Sequence, residues 1–191
     1  ACSSLTPAGS PRRYYRLSAG QHTAVGVVGT ALGETEACVA IAQQMRLKGL
    51  PVPEVYAVSA DGMCYLQEDL GDTSLFDLIA EAHKRGGYDE ADMELLRQVM
   101  RLLPDVQWRT AEQFDFTHCY PSAELNRRGI QWDLHYFKYC FLKATGLEFE
   151  EENLEDDFDR MSEVLLQECA DTFMYRDFQS RNIMIRDGKP W

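Results

Sequence analysis

The sequence predicts an α+β protein in which a small antiparallel, β-rich N-terminal lobe (residues 1–70) precedes a mainly helical C-terminal lobe (residues 71–191). Three observations carry this. Short β-branched and aromatic runs ahead of Gly71 are bracketed by Gly, Pro and Asp-Gly signals, the composition of strands joined by tight turns. Beyond Gly71 the apolar spacing becomes helical. The last segment, "TFMYRDFQSRNIMIRDGKPW", returns to strand-like runs around a polar loop.

The elements follow in order. "RRYYRL", behind a Pro/Gly/Ser loop, reads as a strand, and "TAVGVVG" from Thr23 to Gly29 as its return, giving a hairpin. From Glu34 to Lys48 the recurrence of Ala37, Ile41 and Met45 predicts a helix that "KGLP" stops. "EVYAVSADGMCYLQEDLGD" holds two strands about an Asp61-Gly62 turn. A hinge falls near Gly71. Met93, Leu96, Met100 and Leu103 predict one helical stripe that Pro104 ends. "WDLHYFKYCFLKATG" is apolar nearly all round and predicts a buried helix, and Phe158, Met161, Leu165 and Cys169 predict another. "EFEEENLEDDFD" reads as a solvated loop and helix start, because the alternating ligands and turn glycine of a calcium loop are missing. "TFMY" and "IMI" predict strands, and the Asp-Gly of "RDGK" a hairpin turn. No internal repeat interrupts this order.

Charge narrows the partners. A formal net charge of −12 opposes encounter with a nucleic acid duplex or an anionic membrane surface. Acid is concentrated downstream, since the first fifty residues hold Arg12, Arg13, Arg16, Arg46 and Lys48 against only Glu34 and Glu36. Six cysteines are scattered without a C-x-x-C pair, and no signal-like N-terminus precedes them, so a reducing cytoplasm is expected. His118 beside Cys119 lacks further ligands at zinc-like spacing. No apolar run approaches the roughly 20 residues of a membrane-spanning helix.

The chemistry gathers in "RDFQSRN". Flanking strands would hold Asp177 and Asn182 in one loop, where a carboxylate accepts a proton from a hydroxyl while an amide oxygen holds a hard cation such as Mg²⁺. Phosphoryl transfer requires that division of labour. Asp and Asn are also common turn residues, so the order of parts matters: a Gly-containing loop between strands, a helix carrying Glu36, then the "LQEDLG" connection to a helical lobe.

"YLQEDLGD", "WDLHYFKYCFLK" and "FMYRDFQSRNIM" resemble the aminoglycoside phosphotransferase and choline kinase-like family, especially bacterial anomeric kinases of cell-wall amino sugars. The resemblance covers nearly the whole chain. It implies a kinase-like two-lobe fold, ATP and Mg²⁺ as cofactors, and a small sugar-like acceptor. By the same resemblance Asp177 is the catalytic base and Asn182 a magnesium ligand. The backbone of Glu68, Asp69 and Leu70 receives adenine, Gly9 and Ser10 lie over the phosphates, and Arg12 or Arg13 meets their charge. Tyr175 stands where the family usually has histidine, and Gln179 rather than lysine two residues after Asp177 argues against a serine/threonine protein kinase. "TAVGVVG" carries no lysine to pair with the phosphates and a helix carboxylate; Arg16 either substitutes as the partner of Glu36 or is a plain strand arginine.

The family also places a second metal-binding aspartate beyond a hairpin after the asparagine, a position the sequence stops short of, so a C-terminally incomplete chain with weak Mg·ATP binding and little turnover is expected. The alternatives are a nucleotide-binding or regulatory module that has lost catalysis, a kinase for a cationic acceptor of the aminoglycoside or choline type, and a helical scaffold that shares only the topology.

Overall fold

The computed structural model describes residues 1–5 and 11–191, and the described chain is α+β. Its residues fall into two compact units, 1–121 with 172–191, and 122–171. Among the described residues, no helix is long and apolar enough to cross a membrane.

The first unit is built on a five-stranded antiparallel sheet in the order β1-β2-β3-β5-β4. β2 (Arg13–Ala19) and β3 (His22–Val28) form the expected hairpin, turning at Gly20, and β1 (Cys2–Leu5) adds an edge strand beside β2. β4 (Val55–Val58) and β5 (Cys64–Glu68) flank the Asp61-Gly62 turn. There Gly62 supplies a φ of +71°, while Ser59 and Asp61 bond each other at 2.6 Å. Val25, Val27 and Tyr65 bury one sheet face against Cys38 and Val39 of α1 (Leu32–Leu47).

α1 ends by a local rule. Gly49, at φ +69°, lets its own N–H reach the Arg46 carbonyl and that of Leu50 reach Met45, and the paired Met45 and Leu50 side chains enter the core together. α2 (Leu75–Lys84) starts on a reciprocal cap between Ser74 and Asp77, and α3 (Glu90–Ala111) on a matching one between Asp89 and Asp92.

Pro104 does not end α3 as expected; the helix runs seven residues beyond it, to Ala111. Pro104 and Met100, whose carbonyl loses its helical partner, both face solvent, so water takes over that carbonyl while Val106 and Thr110 keep the next turns in the core. The buried face is Val99, Val106 and Thr110; of the expected stripe, Leu96 and Leu103 are half-buried, whereas Met93 and Met100 are exposed.

The closing segment completes this unit. "TFMY" is not a strand: the Phe173 N–H goes to the Gln107 carbonyl at 2.9 Å, and its ring packs among Met45, Leu50, Val106 and Phe114. Ile183 and Ile185 enter a second cluster with Leu75 and Val99, where Leu75 N–H donates to Ile183 and Ile185 N–H to Thr73, each at 2.8 Å. β6 (Ile185–Arg186) and β7 (Lys189–Pro190) then form the expected hairpin, with Asp187 and Gly188 at φ +52° and +71°.

The second unit holds α4 (Arg127–Phe137), a wide helical turn Lys138–Leu142, a tight one to Thr145, and α5 (Glu151–Leu165). The aromatic segment expected to be buried is mostly exposed: Trp132, Tyr136, Tyr139 and Phe141 face outward, and within it only Lys138 is buried. Two helices joined by a short connection cover one side of each other and leave the rest in water. Buried Lys138 is paired with Glu151 and Glu155, whose hydrogen bonds raise its pKa, and Lys143 joins Glu151 at 2.6 Å.

Candidate functional site

The loop from Tyr175 to Asn182 is anchored at both ends by core residues, Phe173 before it and Ile183 after it. Arg176 adopts φ +64°, a conformation that strains a residue with a Cβ. Two short backbone bonds then follow, from Asp177 N–H to the Tyr175 carbonyl at 2.8 Å and from Gln179 N–H to Asp177 at 2.9 Å. Phe178 packs into the second apolar cluster and meets the Tyr175 ring edge-on at 5.7 Å. The Arg181 guanidinium lies over Phe76 at 3.8 Å and fixes the far side of the loop on α2.

Inside this frame the expected pair comes together. Asn182 Nδ2 donates to both the Asp177 carbonyl and Asp177 Oδ2, each at 3.0 Å. One amide therefore sets the backbone and the carboxylate at once. Asp177 stays exposed, and the donor that it meets there is neutral. With its nitrogen turned to Asp177, the Asn182 amide directs its oxygen elsewhere, as a hard oxygen donor. Although Tyr175 keeps 36% of its surface exposed, burial pushes its phenol pKa up, and neighbouring Asp177 and Cys38 act in the same direction.

The crossover after β5 has different geometry. Burial would raise the Glu68 carboxyl, but hydrogen bonds from Arg186, at 2.6 Å, and from the Glu54 N–H, at 3.2 Å, hold it below the usual range. Arg186 in turn stacks on Trp191 at 4.1 Å. Asp69 is likewise pulled down against its burial, because Arg16 clasps both its oxygens at 2.7 and 3.0 Å and Gly71 N–H adds a third bond at 3.0 Å. Arg16 also reaches Asp72 at 2.8 Å. The acidic side chains here are held in ion pairs, and Leu70 between them is half-buried.

Arg16 therefore meets Asp69 and Asp72, not Glu36, which is exposed on α1 and makes no ion pair among the described residues. Arg12 lies 3.6 Å from Glu34 and donates to Cys38 Sγ at 2.9 Å, whereas Gly9 and Ser10 lie outside the described residues. Glu34, Cys38, Tyr65 and Arg186 are the neighbours that sequence reasoning missed. The one available signal was the four-residue spacing of Glu34 and Cys38, which puts both on the same side of α1.

Among the described residues, no group of three or more His, Cys, Asp or Glu side chains could hold a metal ion. Comparison of the sequence with protein-family models and with curated proteins finds no match in either.

Proposed function

We propose that this chain carries the catalytic loop of a cytoplasmic, ATP- and Mg²⁺-dependent phosphotransferase of kinase-like two-lobe architecture, acting on a hydroxyl of a small sugar or amino sugar. The observation that carries this reading is the Asn182 amide clasping both the carbonyl and the carboxylate of Asp177 on a loop anchored at both ends. Such a carboxylate is positioned and chargeable but not neutralised, which suits a general base.

One side chain here suits the cofactor: the Asn182 amide oxygen is a hard ligand of the kind Mg²⁺ takes, and the remainder of the shell would come from water and phosphate. Bound Mg·ATP supplies the transferable phosphoryl group and the charge neutralisation that phosphoryl transfer needs. Asp177 takes the proton of the acceptor hydroxyl, Asn182 holds that carboxylate and gives its own oxygen to the cation, and the Glu68–Leu70 backbone receives the adenine edge.

Calorimetry with Mg·ATP and a coupled assay with N-acetylated hexosamines test this. Mg·ATP binds weakly, hexosamine raises the small ATP consumption, and Asp177→Asn removes that turnover while leaving the binding. Equal turnover in that variant overturns the base; failure to bind Mg·ATP overturns the nucleotide reading.

A second reading, a nucleotide-binding module without catalysis, is favoured by one observation: β3 carries no lysine, and the cation on the neighbouring strand, Arg16, is held by Asp69 and Asp72. Binding of Mg·ATP without turnover toward any sugar acceptor selects it.

A further inference from the structure

Five residues from five segments close into a ring of contacts where β4 begins and β5 ends. Arg46, in the last turn of α1, lies 3.9 Å from Glu54, just ahead of β4. Glu54 N–H donates to the Glu68 carboxylate at 3.2 Å, and the Glu68 N–H returns to the Glu54 carbonyl at 2.8 Å. Arg186 of β6 donates to Glu68 at 2.6 Å, and its guanidinium lies over Trp191 at 4.1 Å. Arg46 lies over the same indole at 5.7 Å, which completes the ring.

The hairpin that carries Arg186 is also bonded to the start of α2. Ile185 N–H donates to the Thr73 carbonyl and Leu75 N–H to the Ile183 carbonyl, each at 2.8 Å, while Met184 and Trp191 exchange backbone bonds at 3.0 and 2.8 Å. Three residues separate Arg186 from Asn182, and each has a backbone group held by one of these bonds. A shift at Arg186 therefore reaches, with little slack, the amide that sets Asp177. The links of the ring are unequal. Glu68 and Arg186 keep 16% and 30% of their side chains exposed, whereas Arg46 and Glu54 keep 40% and 54% and stand farther apart, in the manner of an open pair that water screens. Arg186, which pairs and stacks at short range, carries most of the joint.

We propose that Arg186 is a positioning residue for phosphoryl transfer: by joining Glu68 to Trp191 it fixes the closing hairpin to the end of β5, and so holds the Asn182 amide and, through it, the direction of the Asp177 carboxylate. A guanidinium suits both contacts, because it donates in its plane to a carboxylate and stacks by its face on an indole. A reacting group misplaced by about 1 Å loses on the order of 100-fold in rate, so a joint this near the base reaches the chemistry without touching substrate. The proposal rests on the reading of Asp177 as the base.

The test is ATP consumption with N-acetylated hexosamine, beside Mg·ATP calorimetry, on the whole chain and on Arg186→Met, Arg186→Lys, Glu68→Gln, Arg46→Met and the double variant Glu68→Gln/Arg186→Met. Arg186→Met should lower kcat about 10- to 100-fold while Mg·ATP affinity and the KM for hexosamine change little, and Arg186→Lys, which keeps the charge but not the flat stack, should recover part of the loss. Glu68→Gln should lower kcat in the same direction, and the double variant should fall no further than Arg186→Met alone, because both substitutions remove one contact. Arg46→Met should cost less than about 5-fold, the range of an exposed pair. Mg·ATP binding doubles as the check that each variant is folded. If Arg186→Met keeps its kcat, or loses kcat and Mg·ATP binding together, or if the losses of Glu68→Gln and Arg186→Met add in full, the positioning role is overturned and the base assignment stands. If the natural protein shows no turnover, or its turnover survives Asp177→Asn, the base reading falls and takes this proposal with it.

Discussion

Asp69 and Asp177 both sit in polar connections next to apolar segments, and their surroundings divide them. Asp69 keeps 7% of its side chain exposed and is gripped through both oxygens by Arg16, while Asp177 is exposed and meets a neutral amide. A carboxylate in a two-pronged arginine pair holds chain segments together and has little proton affinity left. A carboxylate aimed by an amide is held as firmly in direction yet retains its chemistry. Position on a loop does not distinguish the two; the charge of the partner does.

The comparison is broken most sharply by exchanging the two losses. Asp177→Asn should lower phosphoryl transfer by about 10²- to 10⁴-fold, the usual contribution of a general base, with an unchanged melting temperature. Asp69→Asn should do the reverse, lowering the melting temperature by several degrees while the proton-accepting step survives. A turnover loss in Asp69→Asn as large as in Asp177→Asn would erase the distinction.

Next in size is the anchor of the loop that holds Asp177. Phe173→Ala should cost about 3–5 kcal/mol in denaturant unfolding, because the ring fills the cluster of Met45, Leu50, Val106 and Phe114. A cost below about 1 kcal/mol would mean that this segment is not seated in the core.

Arg16→Met should cost less, about 1–3 kcal/mol, because it strands the largely covered Asp69 carboxylate while the pair remains partly open to water. The same variant has a pH signature. Glu68 and Asp69 have folded carboxyl pKa values held below the ordinary range, so their contribution is fully present above the unfolded value near about 4 and is lost as pH falls through the lowered folded values. Unfolding free energy measured from neutral pH into acid should therefore fall more gently in Arg16→Met than in the natural protein. An identical acid limb would show that Asp69 is not held by Arg16 in solution.

The smallest effect belongs to the second unit. Tyr136 is 71% exposed, so Tyr136→Ser should shift stability by no more than about 0.5 kcal/mol. A loss of several kcal/mol would restore the buried helix that its sequence predicts.

The elements that were legible share a local cause. The Asp61-Gly62 and Asp187-Gly188 turns, the four-residue repeat of α1 and the Gly49 stop depend on residues adjacent in sequence, and each falls where its signal lies. Asp177 and Asn182 were legible for the same reason, since the amide reaches back within one loop. Other expectations failed where a distant partner decides. "TFMY" has the composition of a strand, but its Phe173 N–H is taken by Gln107 of α3. Pro104 has the chemistry of a helix stop, but the core contacts of Val106 and Thr110 lie beyond it. "WDLHYFKYCFLK" has the composition of a core helix, but α5 covers only part of it.

The sequence by itself determined the strand–helix order, the turn positions and the aspartate–asparagine spacing, because these rest on backbone sterics and periodicity within a few residues. Only the tertiary structure decided the partners of the charges. Arg16 joins Asp69 across 53 positions and Arg186 joins Glu68 across 118, while Arg12 turns to Glu34, which is half-buried, rather than to exposed Glu36. Ion pairing acts through space, and the sheet register and the rotation of α1 set which opposite charges come within reach.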